Sequence, residues 1–320
     1  MHFEQPFIKL PIRFSPEALA TEVRALPPSA WVPHPTGFPG NEAVRLVTPG
    51  GRPTDLFAGP MAPTENLARC GYIMQVMAEL GGVWGRRRLM GLGAGGEVPE
   101  HVDAHYHWRT HVRIHVPIIT TPKVEFTCGG ETVHMAPGEC WLFDSFRWHE
   151  VHNRGTERRI HLVLDTVVTE SLWDLIHAAR SGTAEAREVL PAEGARAPLM
   201  FEQLNAPRVM SPWEMRSHFA FFREQAVPSG DLAAVMDRLD RFASGWAALW
   251  AQFGTSDVGV PAYRQLLASA RADVAAAGAS TVALRNELML LAVLDQIVFG
   301  PALNVQDVSP FMASERPLAL

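Results

Sequence analysis

The chain is poor in cysteine: Cys70, Cys128 and Cys140 are the only three, an odd number with no CxxC spacing. That argues against a disulfide framework and for a reducing compartment. A basic surplus is missing as well, because 28 Lys and Arg face 34 Asp and Glu, a net charge of −6. Such a balance offers no field for nucleic acid, and no polybasic run marks a membrane surface. Long apolar runs are absent, and the opening "MHFEQPFIKLPIRF" has no charged start followed by an apolar core. Neither a membrane span nor a secretory leader is expected, so the chain reads as cytoplasmic, with no nucleic-acid or membrane partner.

What is present is ordinary globular material. At 47% hydrophobic and 19% charged residues, 320 positions suffice for one large domain, or one domain with a smaller companion. The first ninety residues alternate helix and loop signals. In "SPEALATEV", Ser15 stands at an N-cap position and Pro16 at the first helical position, predicting a helix to about residue 25. In "TENLARCGYIMQVMAELGG", Leu67, Cys70, Met74, Met77 and Leu80 recur at helical spacing, and Gly81 is a C-terminal stop.

Over residues 88–165 the texture changes to short apolar runs set between turn signals: "RLMGL", "HVRIHVPII", "VEFTC", "CWLFD" and "RRIHLVLD". Strands so punctuated predict a β-sandwich or jelly-roll barrel. The "GAGG" run lacks the Lys-Ser/Thr ending of a phosphate loop. Beyond Asp165 the pattern is helical. "SLWDLIHAAR" is amphipathic, "SGTAEAREVLPAEGARAP" reads as a linker or mobile loop, and a long apolar stripe runs from Leu232 to Phe253 behind Asp231 as N-cap. A second helical run is expected at about residues 281–299. The expected division is a jelly-roll domain with N-terminal helices over residues 1–170 and a helical region over 171–320, serving as a lid or a homodimer interface.

Chemistry concentrates in "EHVDAHYHWRTHVRIHVPI", which holds five of the thirteen histidines, with Asp103 two residues after His101. Metal ligation, proton transfer and ordinary half-buried packing all suit single histidines. A dense cluster beside a carboxylate favours a metal, since imidazole is the commonest protein ligand for mid-series divalent ions. In an extended segment, residues two apart point to the same side, so His101 and Asp103 can reach one ion. A third ligand must come from a later strand, and "DSFRWHEVHN" supplies His149 and His152. Two histidines and one carboxylate leave three positions open on an octahedral ion, the geometry of non-haem Fe(II) oxygenases, although zinc or manganese cupins look alike at this level.

Two strands carry inward cations. In "HVRIHVPI", Arg113 and His115 share one face against Val112, Ile114 and Val116; in "RRIHLVLD", Arg159 and His161 oppose Ile160, Leu162 and Leu164. A buried guanidinium needs an anion. A dicarboxylate guest held bidentately meets that need, and so does an internal salt bridge to Asp144 or Asp165.

The order "HVD", "RIHVPIIT", "GECWLFDSFRWHEVHN", "RRIHLVLD" resembles the aspartyl/asparaginyl β-hydroxylase family of Fe(II)/2-oxoglutarate oxygenases, which includes bacterial hydroxylases of free proline. The resemblance covers about residues 30–168. It implies a mixed α+β fold with a double-stranded β-helix (jelly-roll, cupin-like) core, Fe(II) as metal, and 2-oxoglutarate and O2 as co-substrates. Carried onto this chain, His101, Asp103 and His149, rather than His152, match the metal ligands. Arg159 matches the arginine that pairs with the far carboxylate of 2-oxoglutarate, and Arg113 and His115 match an inward pair beside it. Better known animal members lack the carboxylate that Asp103 supplies here. They also carry a hydroxyl residue where this chain has Met90, so the co-substrate must find another partner. Asp103 counts against a halogenase, where a small residue vacates the site for chloride.

The implied reaction is hydroxylation of a C–H bond of an amino acid, free, within a small peptide, or carrier-bound. His105, His107, Arg109 and His111 follow the HxD pair, and Arg147 and Trp148 flank His149; these are candidates for the mouth of the site, with packing as their plainer role. Asp144 and Asn153 are expected to brace the distal strand. Two other classes stay open: a zinc or manganese cupin-type enzyme, and a sensor that binds a small acid.

Overall fold

The computed structural model describes residues 3–182, 184–192 and 198–304. Along the chain come β1 (Phe7–Lys9), β2 (Ile12–Phe14) and α1 (Pro16–Ala25). Helix α1 begins as expected: Ser15 Oγ accepts from the Ala18 amide at 3.2 Å, a cap worth about 1 kcal/mol. Strands β3 (Val32–Pro33), β4 (Asn41–Pro49) and β5 (Met61–Pro63) follow, where helix and loop alone were expected. The single helix expected next is two, α2 (Glu65–Ala68) and α3 (Gly71–Leu80). Cys70 between them leaves the helical region (φ −110°, ψ 78°), and the Glu22 carboxylate caps the fresh N-terminus by accepting from the Tyr72 and Ile73 amides. Gly81 ends α3 in the left-handed region, at φ 66°.

The central strands are β6 (Val83–Leu92), β7 (Glu97–His101), β8 (Val112–Ile119), β9 (Val124–Cys128), β10 (Glu131–Val133), β11 (Trp141–Phe143), β12 (His149–Asn153) and β13 (Arg159–Val167), with the short α4 (Tyr106–Thr110) between β7 and β8. From β6 to β13 the strands alternate between two sheets, save that β9 and β10 form a hairpin within the smaller one. One runs β1-β11-β8-β13-β6-β4-β3, and the other runs β10-β9-β12-β7. That alternation is the double-stranded β-helix, and with the flanking helices the fold is mixed α+β.

The two faces of the larger sheet differ in chemistry, as period-two alternation requires. Val44, Leu89, Ile114, Val116, Leu162 and Leu164 pack against Leu19, Val23, Ile73 and Met77 of α1 and α3. The opposite face carries Arg45, Arg88, Val163 and His115, which the strand registers place side by side across β4, β6, β13 and β8. A smaller apolar cluster joins the two sheets, with Leu92 and Phe143 from the larger and Phe126 and Val151 from the smaller.

The chain divides into two compact units, and the boundary differs from the one expected at residue 170. Among the described residues the first unit holds 3–103 and 110–205, and the second holds 104–109 and 206–304. The first runs on because α5 (Glu170–Ser181) buries Leu172 and Ile176 in its core. Strand β14 (Arg187–Val189), within the segment read as a linker, pairs with β2, and β15 (Met200–Phe201) pairs with β6.

The second unit contains α6 (Pro212–Gln225), α7 (Leu232–Phe253), α8 (Val260–Ala276) and α9 (Leu290–Leu294). Its buried Trp246 donates Nε1–H to the Met210 carbonyl at 2.8 Å. Asp231 precedes α7 without capping it, its carboxylate instead accepting from Thr281 Oγ1 at 2.9 Å. The helix expected over 281–299 is confined to α9 and one π turn at Asp295–Phe299, because Ala283 and Met289 pair across a tight turn where Glu287 takes φ 67°. Among the described residues, no helix is long and apolar enough to cross a membrane.

Candidate metal centre

Strands β7 and β12 are antiparallel neighbours, and their register sets His101 directly opposite His149. The two imidazole rings lie 4.2 Å apart between centroids. Asp103 sits just past the end of β7, held by its amide donating to the Ser145 carbonyl at 2.9 Å. One donor atom from each of His101, Asp103 and His149 lies within 4.8 Å of the others. His152, the alternative third ligand, is an odd number of residues from His149 and so faces the other way, toward Glu97 (3.5 Å) and Glu150 (3.1 Å).

Backbone carbonyls select the tautomers. His101 Nδ1 lies 2.8 Å from the Pro99 carbonyl, and His149 Nδ1 lies 2.9 Å from that of Arg147. A carbonyl only accepts, so each ring carries its hydrogen on Nδ1 and offers the Nε2 lone pair. Burial, and then the nearby His101, push the His149 pKa well below its ordinary value. The neutral imidazole that metal binding requires is thus the resting form. Phe126 stacks near the His149 ring and Phe143 meets it edge-on at 4.9 Å, keeping water from its flanks.

Asp103 is braced by Arg113, whose Nη1 lies 3.2 Å from Asp103 Oδ2. The same guanidinium is fixed from behind, since Nε donates to Asp165 Oδ1 at 2.8 Å across the β8–β13 pair. Of the two fates the sequence leaves open for an inward arginine, Arg113 takes the internal salt bridge to Asp165, and its guanidinium is engaged with two carboxylates. His115 packs edge-on against Phe126 and Phe143 on the inward face of β8.

Arg159 is different. It is 5% exposed, it makes no ion pair with any described residue, and its Nε is buried without a hydrogen-bond partner. Burial alone draws its pKa down to about 9. An isolated cation in a dry interior is a costly arrangement, and its remedy is an anion. The donor set fits both implied groups: two neutral imidazoles and a carboxylate for a divalent ion, and an uncompensated guanidinium for a dicarboxylate.

Other expected residues are occupied elsewhere. His111 Nε2 meets Glu202 Oε1 at 2.5 Å, Arg109 lies 3.6 Å over the Phe221 ring, and the His105 Nδ1 accepts from the His107 amide at 3.2 Å. Arg147 donates to Asp144 at 3.1 Å and to the Phe3 carbonyl at 3.2 Å. Trp148 gives its carbonyl to the Gly129 amide at 2.9 Å. Asn153 braces as expected, its Nδ2 donating to the carbonyls of Leu92 (3.0 Å), Gly93 (2.9 Å) and Glu157 (2.8 Å). One cluster escaped the sequence reading although "RRR" at 86–88 signals it. Arg45 clasps Asp55 (Nε to Oδ1 3.0 Å), Arg88 lies 3.8 Å from the same carboxylate, and Arg86 donates to the Asp55 carbonyl at 3.3 Å.

Residues 52–168 match the aspartyl/asparaginyl beta-hydroxylase family. The matched segment includes His101, Asp103, His149 and Arg159. No curated protein matches the chain. Among solved structures, a 2OG-Fe(II) oxygenase family oxidoreductase from Burkholderia pseudomallei is similar at 14% identity and TM-score 0.36, over 46% of this chain and 76% of that one. A prolyl-4-hydroxylase from Pseudomonas putida is similar at 12% identity and TM-score 0.35, over 52% and 95%. A predicted oxalate decarboxylase from Thermotoga maritima is similar at 16% identity and TM-score 0.27, over 43% and 90%.

Proposed function

We propose that this protein is an Fe(II)- and 2-oxoglutarate-dependent dioxygenase that hydroxylates a C–H bond of an amino acid, free, within a small peptide, or carrier-bound. The observation that carries the reading is the combination, in one barrel, of a three-donor cluster with a buried arginine that has no counter-ion among the described residues. His101, Asp103 and His149 would hold the iron through two Nε2 lone pairs and one carboxylate, leaving positions open for small ligands. When bound, iron and 2-oxoglutarate supply the oxidising power, the keto acid ending as succinate and CO2 and one oxygen atom entering the substrate.

The chain's own residues do the positioning. Arg113 holds the Asp103 carboxylate in place, Arg159 receives the far carboxylate of the co-substrate, and Phe126 and Phe143 keep the His149 side dry. Arg45, Arg86 and Arg88, gathered on Asp55, give the same unit a positive region suited to a substrate carboxylate.

The test is anaerobic absorption of the Fe(II)-loaded protein titrated with 2-oxoglutarate. A visible charge-transfer band that Arg159→Ala removes supports the reading. Iron uptake without any band sinks it and leaves a metal cupin of other chemistry.

A further inference from the structure

Two of the three clustered ligands take their orientation from a single turn. The Asp103 amide donates to the Ser145 carbonyl at 2.9 Å, and His149 Nδ1 lies 2.9 Å from the Arg147 carbonyl. Residues 144–147 form that turn, closed by the Arg147 amide donating to the Asp144 carbonyl at 3.0 Å. His101 does not depend on it, because its own Nδ1 is held by the Pro99 carbonyl of β7.

The Asp144 side chain, 0% exposed, holds the turn. Its Oδ1 accepts from the Phe146 amide at 3.1 Å, the local side-chain-to-backbone bond that Asp and Asn make in turns. That N–H and the Ser145 carbonyl belong to one planar peptide group. The two point to opposite sides of a trans peptide, so gripping the N–H aims the carbonyl at Asp103. Asn would serve this half of the task equally. The second carboxylate oxygen does something more: Oδ2 accepts from Arg147 Nε at 3.1 Å and from the Phe3 amide at 3.3 Å. Arg147 Nη2 reaches on to the carbonyls of Phe3 (3.2 Å) and Glu4 (3.1 Å), and the Asp144 amide donates to the Pro6 carbonyl at 2.9 Å. The residue whose carbonyl serves His149 is therefore fixed through both its amide and its guanidinium, and residues 3–6 are tied to the turn at Asp144 and at Arg147.

We infer that Asp144 is a positioning residue for the metal centre: through one turn it sets the carbonyl that orients Asp103 and the carbonyl that selects the His149 tautomer, and the segment 3–6 completes that support. The inference rests on the metal-ligand reading above and goes beyond it in making the N-terminal segment part of the site's framework.

The experiment reads metal binding and imidazole tautomers, not turnover. Protein is titrated with Co(II) in competition with a chelator, and the imidazole nitrogen resonances of the metal-free protein are recorded. In Asp144→Ala the Kd for Co(II) rises about 10- to 100-fold, the usual cost of losing a group that orients a ligand. His149 then populates both tautomers, while His101 keeps its hydrogen on Nδ1. Asp144→Asn still accepts from the Phe146 amide, so it recovers the Asp103 share of the affinity and leaves His149 mixed. Arg147→Met, at a partly exposed position, gives the same His149 signature with the buried carboxyl side chain unaltered, so the test survives a poorly folding Asp144 variant. Unchanged Co(II) affinity and an unchanged His149 tautomer in these variants overturn the inference. So does a change in which His101 and His149 lose their tautomers together, since that marks general loosening. Unsubstituted protein that takes up no Co(II) defeats the metal-ligand reading itself.

Discussion

Arg113 and Asp165 face each other across β8 and β13 with Nε 2.8 Å from Oδ1, and the far end of the same guanidinium reaches Asp103 at 3.2 Å. A carboxylate ligand is thereby oriented by a cation that is itself oriented by a second carboxylate. Asp165→Asn keeps the shape and removes one charge. The expected outcome is metal affinity lowered about 10- to 100-fold, the usual cost of losing a group that orients a ligand. Competition against a chelator measures it, and unchanged affinity would show that Asp103 needs no brace.

The ligand set makes a sharper contrast. His101→Ala and His149→Ala should each abolish stable metal uptake, whereas His152→Ala should leave it intact, because His152 faces Glu97 and Glu150 on the opposite side of β12. Metal content after gel filtration decides it. A variant at His152 that loses metal would overturn the third-ligand assignment.

Much of this site could be read before the structure, and what could not depends on register. The His101/Asp103 pair was visible because a strand alternates its side chains every second residue, and the spacing alone brings the two together. The choice of His149 over His152 needed a resemblance, since both lie in one short stretch. For Arg113 the sequence leaves two fates open, a dicarboxylate guest or a salt bridge to Asp144 or Asp165, and only the β8–β13 pairing, which brings Asp165 beside it from 52 residues away, selects the salt bridge. Strand β4 is hidden in the sequence for a related reason. Covered on both faces, "NEAVRLVTP" is buried almost throughout and shows no clean alternation. The sequence pattern sets the unit boundary too early because α5 looks like the start of a helical region, yet its Leu172 and Ile176 belong to the first unit's core.

The three thiols bear on handling the protein. Burial pushes Cys70 and Cys128 up to about 12 and Cys140 higher still, and all three are buried. Thiolate is the reactive form, so folded protein at pH 8 should resist iodoacetamide, with all three sites labelled only after denaturation. Mass spectrometry of the labelled protein reads this directly. Rapid labelling of native Cys128 would mean that β9 opens far more readily than its packing implies.

Arg159 separates function from stability most clearly. A residue kept for folding should cost stability when removed, but this guanidinium is buried with no carboxylate beside it among the described residues, and its depressed pKa records the cost of leaving it there. Arg159→Leu replaces the charged head with apolar volume. The melting temperature of the ligand-free protein should stay level or rise, because trading buried charge for well-packed hydrocarbon is often neutral or stabilising. The same change should weaken 2-oxoglutarate binding by about 2–4 kcal/mol, the order expected when a buried charge loses its partner, or roughly 30- to 1000-fold in Kd. Thermal shifts with and without 2-oxoglutarate test both halves in one experiment. A large drop in melting temperature together with an undiminished ligand shift would make Arg159 a structural residue and remove the main support for a dicarboxylate in this barrel.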